Sequence, residues 1–170
     1  VPSRVTRKNV NTEESQTFEF DSGTLEFKRL LAETQKGPDG LEHIYYEYSR
    51  DGQVDAYNDT RKTYRTSEYD QEKNQIKRVM EEGRLGLLGE KIPETQYDYS
   101  VPGEVTVKDL ATGVARTFNE QGELIRFVDA NGVATYLRNG VVEKVVDKDG
   151  NVLRNYQLNF DPVTGEILGA

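Results

Sequence analysis

The sequence predicts a mainly β protein, in which antiparallel β-hairpins follow one another as a repeat meander and form an extended or coiled sheet. Turn signals recur at intervals of about ten residues through the second half of the chain, as in all-β proteins built of short strands. The segments between them are about five residues long, which is the usual length of a strand. Turns this short join antiparallel neighbours and leave no room for crossover helices.

The most regular stretch, residues 99–155, contains one motif three times at 18–19-residue spacing. Each copy has a second glycine ten residues after its first, and these glycines are Gly103, Gly113, Gly122, Gly132, Gly140 and Gly150. Self-similarity at a fixed period indicates a repeat architecture. In each turn we expect Asp, Ser or Asn to begin the turn, Gly to take the left-handed conformation, and an aliphatic residue to restart the inner face. Asn-Gly and Asp-Gly dipeptides further favour two-residue type I′ turns.

Four segments are predicted along the chain. They are a flexible or strand-donating arm over 1–16, N-terminal β-hairpins over 17–66, an irregular segment over 67–96, and regular β-hairpin repeats over 97–170. The arm is polar, and terminal segments are ordered only when something holds them. Within 17–66, period-2 alternation around Asp21 and Gly23 predicts a hairpin. A strand over 43–48 has two different faces: one carries Ile44, Tyr46 and Tyr48, and the other carries His43, Tyr45 and Glu47.

Two structures compete for residues 68–82. Tyr69, Ile76 and Val79 lie at helical spacing in a stretch rich in helix-forming residues, which favours one short helix. Ser67 with Asp70 resembles a capping box, and Gly83 stands where such a helix would stop. The alternative is one more hairpin that turns near Asn74 and returns at Ile76. We expect the helix.

Composition narrows the function classes. The 170 residues include 30 acidic and 22 basic side chains, for a formal net charge of −8. An acidic surface repels phosphate groups, so we expect no nucleic-acid partner and no binding to anionic membrane surfaces. No apolar run approaches the ~20 residues that a membrane-spanning helix needs. The chain has no cysteine, which excludes disulfides and thiol chemistry.

Known catalytic and metal-binding patterns are weak in this sequence. The single histidine, His43, has no Ser or Cys nucleophile context, so we expect it to be an ordinary surface residue. Asp147 and Asp149 alternate around a glycine turn as oxygen ligands of a calcium loop do, but Leu158 stands where the later Glu ligand is expected. A plain hairpin turn explains the same two residues. We expect no catalytic residue, no metal and no cofactor.

The repeat resembles the tyrosine-aspartate (YD) repeats of the RHS family. The segment 118–124, followed by Asp129, Gly132 and Tyr136, has that family's spacing of aromatic, glycine, aliphatic, second glycine and closing tyrosine. The dipeptide itself occurs at 69–70 and 97–98. The resemblance implies an antiparallel sheet that wraps or coils, on a secreted or cell-surface protein of bacterial type. No toxin domain or self-cleaving core is recognisable, so the family's encapsulating role does not carry over.

We therefore expect a non-enzymatic structural or interaction protein. A sheet of this kind has a free edge strand at each end, so pairing with further copies or with neighbouring repeats, up to a filament, is the expected mechanism. The alternative function is a carbohydrate-binding module that uses exposed tyrosines. Tyr45 and Tyr57 are the candidate binding residues, because they lie in a tyrosine-rich pair of predicted strands.

Overall fold

The computed structural model describes residues 3–169, in which sixteen β-strands and no helix occur. Fourteen strands form one open antiparallel sheet in sequence order, and the last two form a separate two-stranded sheet. The predicted hairpin meander is therefore confirmed. The main sheet consists of β1 (Ser3–Lys8), β2 (Ser15–Asp21), β3 (Glu26–Gly37), β4 (Gly40–Tyr48), β5 (Gln53–Asn58), β6 (Thr63–Asp70), β7 (Gln75–Leu85), β8 (Lys91–Asp98), β9 (Val105–Asp109), β10 (Ala115–Phe118), β11 (Leu124–Val128), β12 (Ala134–Arg138), β13 (Val141–Val146) and β14 (Val152–Asn155). The separate hairpin consists of β15 (Asn159–Phe160) and β16 (Ile167–Gly169).

The chain divides into two compact units, Val1–Pro93 and Glu94–Ala170. The first unit contains the long strands, among them β3 with 12 residues and β7 with 11. In the second unit the strands from β9 to β14 have four to six residues each. The described residues contain no helix that could cross a membrane.

Most turns are closed by an Asp or Asn side chain, in one of two ways. In the first kind, the side-chain Oδ1 accepts hydrogen bonds from the backbone N–H groups two and three residues ahead, and the residue four ahead has a positive φ. These turns begin at Asn9, Asp21, Asn58, Asp70, Asp109 and Asp161. The side chain thereby replaces the missing backbone partners of the turn. In the first hairpin the positive φ belongs to Leu25 (61°), although Gly23 was the expected residue.

The second kind of turn is one residue shorter and contains three of the six regular glycines, Gly122, Gly132 and Gly150. Asn119, Asp129 and Asp147 each accept N–H groups two and four residues ahead, and the glycine three ahead has a φ of 78–87°. The expected left-handed glycines are confirmed at all six repeat positions. Among the described residues, only the Asn139–Gly140 turn has the two positive φ values (50° and 82°) of a type I′ turn. At Asn131–Gly132 and Asp149–Gly150 the side chain two residues before the dipeptide, Asp129 or Asp147, closes the turn instead.

The first kind of turn reveals a longer repeat of about fifty residues, as expected of a repeat array. Asn58 follows Asn9 by 49 residues, Asp109 follows Asn58 by 51, and Asp161 follows Asp109 by 52. The hairpins β2–β3 and β6–β7 are equivalent by the same offset of 49: each has an Arg-to-Glu ion pair of 3.0 Å, Arg29 with Glu19 and Arg78 with Glu68. The segment 67–96, which was expected to be irregular, therefore contains a second copy of the first hairpin.

The helix predicted over 68–82 is wrong. Asp70 Oδ1 accepts the N–H groups of Glu72 (3.0 Å) and Lys73 (3.1 Å), and Asn74 has a φ of 54°. The polar residues that resembled a helix cap thus close a hairpin turn, and Tyr69 pairs across it with Ile76. Helix propensity differs by only tenths of a kcal/mol per residue, so packing between β6 and its neighbours outweighs it.

The predicted arm over 1–16 contributes a strand to the chain's own sheet. β1 runs antiparallel to β2, and the hydroxyls of Thr6 and Thr17 lie 2.8 Å apart across the pair. Residues 3–8 are therefore held by β2 rather than loose or lent to another chain. Val1 and Pro2 lie outside the described residues.

The core of the first unit is thin and lies mainly on one face of β4, β5 and β6. Val54 and Ser67 are 2% exposed and lie opposite each other. The buried ring of Tyr69 packs edge-on against Tyr48, with ring centroids 4.8 Å apart. The predicted alternation along β4 is confirmed, because Ile44 is buried whereas Tyr45 is half exposed.

Acid is expected to destabilise the fold through the carboxylates that close its turns. Hydrogen bonds from backbone N–H groups lower the pKa of three turn carboxylates. The largest contribution comes from the N–H of Asn151 at Asp147, from that of Thr164 at Asp161, and from that of Lys73 at Asp70. A carboxyl whose pKa is lower in the folded than in the unfolded chain contributes stability above the unfolded pKa, and this is lost as the pH falls through the folded pKa. The free energy of unfolding, measured by urea titration, should therefore decrease as the pH falls below about 4.

The Asp147→Asn variant separates this effect from general acid sensitivity. Its amide oxygen still accepts the two N–H groups but does not titrate. Its loss of stability between about pH 6 and pH 2 should be smaller than that of the wild type. Equal losses would show that the turn carboxylates do not set the acid limit.

Candidate interaction site

The strand β14 is one free edge of the main sheet. Its strand neighbour in the described part of the chain is β13 on one side only. All four of its residues are exposed, and Val152 (56%) and Leu153 (57%) present apolar side chains there. An edge of this kind offers unpaired backbone N–H and C=O groups together with apolar surface, which is a template for a further strand.

The strand β1 is the opposite edge and has a different character. It carries three basic residues, Arg4, Arg7 and Lys8, within six positions. The Arg7 side chain is held on β2, where its Nε donates to Gln16 Oε1 at 2.7 Å. Basic side chains on an edge disfavour pairing with a second copy of the same strand.

The sequence-predicted candidates Tyr45 and Tyr57 are direct neighbours. They face each other across β4 and β5, and Tyr57 in turn faces Tyr64 on β6. Accessibility falls along this tyrosine row: Tyr45 is 50% exposed, Tyr57 is half-buried and Tyr64 is 3% exposed. The Tyr64 hydroxyl donates to Glu81 Oε2 at 2.7 Å, as expected of a structural tyrosine. The row therefore offers one accessible ring.

Lys91 covers the inner part of the tyrosine row. Its Nζ lies 5.7 Å from the Tyr57 ring centroid, 5.4 Å from the Tyr64 centroid and 2.8 Å from Asp55 Oδ2. Partial burial alone would lower the pKa of Lys91, but the hydrogen bond to Asp55 raises it. The sequence analysis missed this residue, because no local pattern joins positions 36 residues apart.

His43 occupies an exposed position on β4. Its Nδ1 lies 3.2 Å from the hydroxyl of Thr34 on the neighbouring strand, and its backbone N–H donates to Thr60 Oγ1 at 2.9 Å. The geometry is that of a surface histidine whose main chain helps to hold the β5–β6 turn.

Asp147 is engaged within its own turn. Its Oδ1 accepts the N–H groups of Asp149 (3.0 Å) and Asn151 (2.8 Å), and its Oδ2 accepts the Asn151 side-chain amide at 3.1 Å. The plain-turn alternative accounts for these contacts. Across residues 3–169, no three His, Asp or Glu side chains are grouped so that they could hold a metal ion.

Comparison with known proteins gives no relative from which a function could be transferred. No protein-family model matches the chain, and no curated protein is similar to it. The likeness to tyrosine-aspartate repeats therefore rests on the sequence motif.

Proposed function

We propose that this chain is a non-enzymatic interaction protein, secreted or on a cell surface, which associates with further copies or with neighbouring repeats by adding strands to the edges of its sheet. The observation that carries the proposal is the exposed strand β14, with its free side and its apolar Val152 and Leu153. The extracellular setting is supported by the motif likeness to tyrosine-aspartate repeat proteins.

The two edges favour different contacts. Pairing β1 with a second β1 places basic residues opposite one another, which is unfavourable. Antiparallel pairing of two β14 strands places Leu153 opposite Arg154 of the other copy, so no like charges meet. A β14–β14 contact closes as a dimer, whereas a β14–β1 contact continues from copy to copy as a filament.

Replacing Leu153 with lysine tests the proposal. We expect self-association to weaken at least tenfold, because a charged side chain on an edge strand opposes strand addition. Sedimentation velocity over a concentration series measures the association, and electron microscopy distinguishes dimers from filaments. The matched control is Leu88→Lys, since Leu88 is 95% exposed but lies in the β7–β8 turn.

Two outcomes would overturn edge pairing. One is a wild-type protein that stays monomeric at every concentration and shows no filaments. The other is an association that Leu153→Lys and Leu88→Lys weaken equally.

Carbohydrate binding at the tyrosine row is the second candidate function. The half-exposed Tyr45 favours it, because an accessible ring can stack on a sugar. Lys91 lies against Tyr57, which leaves Tyr45 as the single platform of the row. A single exposed ring is a smaller binding surface than the exposed edge strand β14.

A further inference from the structure

A continuous row of polar side chains crosses seven strands on one face of the sheet in the second unit. Each member lies directly opposite the next across a strand pair. From β8 to β14 the members of this polar row are Asp98, Thr106, Thr117, Arg126, Tyr136, Lys144 and Asn155. Six strand spacings of about 4.8 Å make the row about 29 Å long.

A cavity of about 420 Å³ lies over the first part of the polar row. Its walls include Thr106, Thr117, Arg126 and Tyr136, together with the carboxylates of Asp98 and Glu104 at the β8–β9 end, away from Lys144. The volume is within the range of small-molecule sites. The hydroxyls of Thr106 and Thr117 are 2.8 Å apart; Thr117 is 4% exposed, so Thr106 is the member of the pair that a ligand can reach, and a hydroxyl can both donate and accept.

Two cations flank one ring in the middle of the polar row. The guanidinium carbon of Arg126 lies 5.5 Å from the Tyr136 centroid, and Lys144 Nζ lies 4.8 Å from it. In the part of the chain that the structure describes, neither side chain forms an ion pair or a hydrogen bond. A cation–π contact leaves the positive charge un-neutralised, so an anion placed here would meet both charges. This concentration of free positive charge stands out in a protein with a net charge of −8.

We infer that the polar row binds an oligosaccharide that carries an anionic group, either a uronate carboxylate or a sulfate ester. Arg126 and Lys144 bind the anion, and the Thr106 hydroxyl, held in place by the buried Thr117 hydroxyl, binds a sugar hydroxyl beside it. Charge-assisted hydrogen bonds of this kind are the strong ones in a polar site. Successive rings of an extended glycan recur at nearly the strand spacing, so consecutive sugars can meet consecutive members of the row.

The position of the row argues against a peptide ligand. An extended peptide binds a sheet through main-chain hydrogen bonds at an edge. The row lies on the face, where the backbone groups of β9 to β13 are already paired with neighbouring strands. The face offers side chains alone, and hydroxyl and charged side chains match the groups of an acidic sugar. The site is also independent of edge pairing, so either proposal can fail without the other.

Titration calorimetry with defined oligosaccharides tests the inference on the full chain. The probes are a hexamer of galacturonic acid, a sulfated oligosaccharide of the same length, and a neutral cello-oligosaccharide hexamer. We expect one of the anionic probes to bind, with an affinity that falls as salt rises, and the neutral probe to bind at least tenfold more weakly. Which anionic probe binds distinguishes the carboxylate from the sulfate.

Matched variants locate the site. Arg126→Gln and Lys144→Gln should each weaken binding at least tenfold. The control is Arg116→Gln, which removes the same charge: Arg116 lies 5.3 Å from the Phe127 centroid and, as the neighbour of Thr117 on β10, points to the opposite face. Arg116→Gln should bind within twofold of the wild type, and circular dichroism should show all three variants folded.

Four results would overturn the inference. They are no binding of either anionic probe at millimolar concentration, equal losses in Arg116→Gln and Arg126→Gln, equal binding of a glutamate hexapeptide, and loss of binding in Tyr45→Ala with Arg126→Gln unaffected. The last result would show that the saccharide binds at the tyrosine row of the first unit instead.

Discussion

Gly83→Ala is expected to lower the free energy of unfolding of the first unit by about 3 kcal/mol. A Cβ at this position would overlap the backbone carbonyl of Ile92 and would lie 2.7 Å from Cε1 of the buried Tyr64 ring. Neither neighbour is the end of a flexible side chain, so relief requires a shift of the β8 backbone or of the packed ring. Glycine at 83 is therefore what lets β8 approach β7 closely.

Urea unfolding of the wild type and of two glycine variants measures this effect. Gly23→Ala is the control, because Gly23 lies in an exposed turn without a positive φ and its nearest obstacle is Asp21 Oδ1 at 3.2 Å. Its stability should change by less than about 0.5 kcal/mol. Equal effects of the two substitutions would contradict the close approach of β8 at Gly83.

Tyr69→Ala is expected to destabilise the first unit by about 3 to 4 kcal/mol. The side chain is 8% exposed and its ring packs edge-on against Tyr48 at 4.8 Å, so truncation removes a large apolar contact and leaves a cavity. Tyr48 is itself held by its hydroxyl, which donates to the Leu30 carbonyl at 2.6 Å, and by Arg29 over its ring at 4.7 Å. This limits the collapse that could refill the cavity.

The matched control for Tyr69 is Tyr45→Ala on β4, two strands away in the same sheet. Tyr45 is 50% exposed, so its loss should cost less than about 1 kcal/mol. Thermal or urea unfolding of both variants gives the comparison. Similar destabilisation by the two substitutions would mean that Tyr69 is not a core residue of the unit.

Turn chemistry is the part of the fold that could be predicted from the sequence. An Asp or Asn followed three residues later by Gly acts through hydrogen bonds that are local in sequence, as at Asp129 and Asp147. Alternation along β4 is equally local, because side chains of successive residues point to opposite faces. These signals suffice for an antiparallel meander, in which strands pair in sequence order.

The failure at 68–82 shows where local signals are ambiguous. Asp70 can close a hairpin turn or begin a helix with the same side-chain acceptor. The turn form is selected because β6 and β7 each pair with a further strand, and a single sequence carries no direct sign of that pairing.

The candidate site depended on contacts that the sequence does not reveal. Tyr45 and Tyr57 were expected as binding residues, but the difference between them comes from Lys91 on a distant strand. The polar row likewise forms only through the register of seven strands. A shift of one residue in any pair would move Arg126 or Lys144 to the other face.

The turns at Asn9, Asn58, Asp109 and Asp161 divide the chain into intervals of similar length that contain different numbers of strands. The first two intervals contain four strands of the main sheet each, whereas the third, from Asp109 to Asp161, contains five strands of the main sheet and β15 of the separate hairpin in a similar number of residues. A segment of about fifty residues thus forms either a few long strands or a larger number of short strands. Because strands of the main sheet pair with their sequence neighbours, the number of strands per interval can change without rerouting the chain.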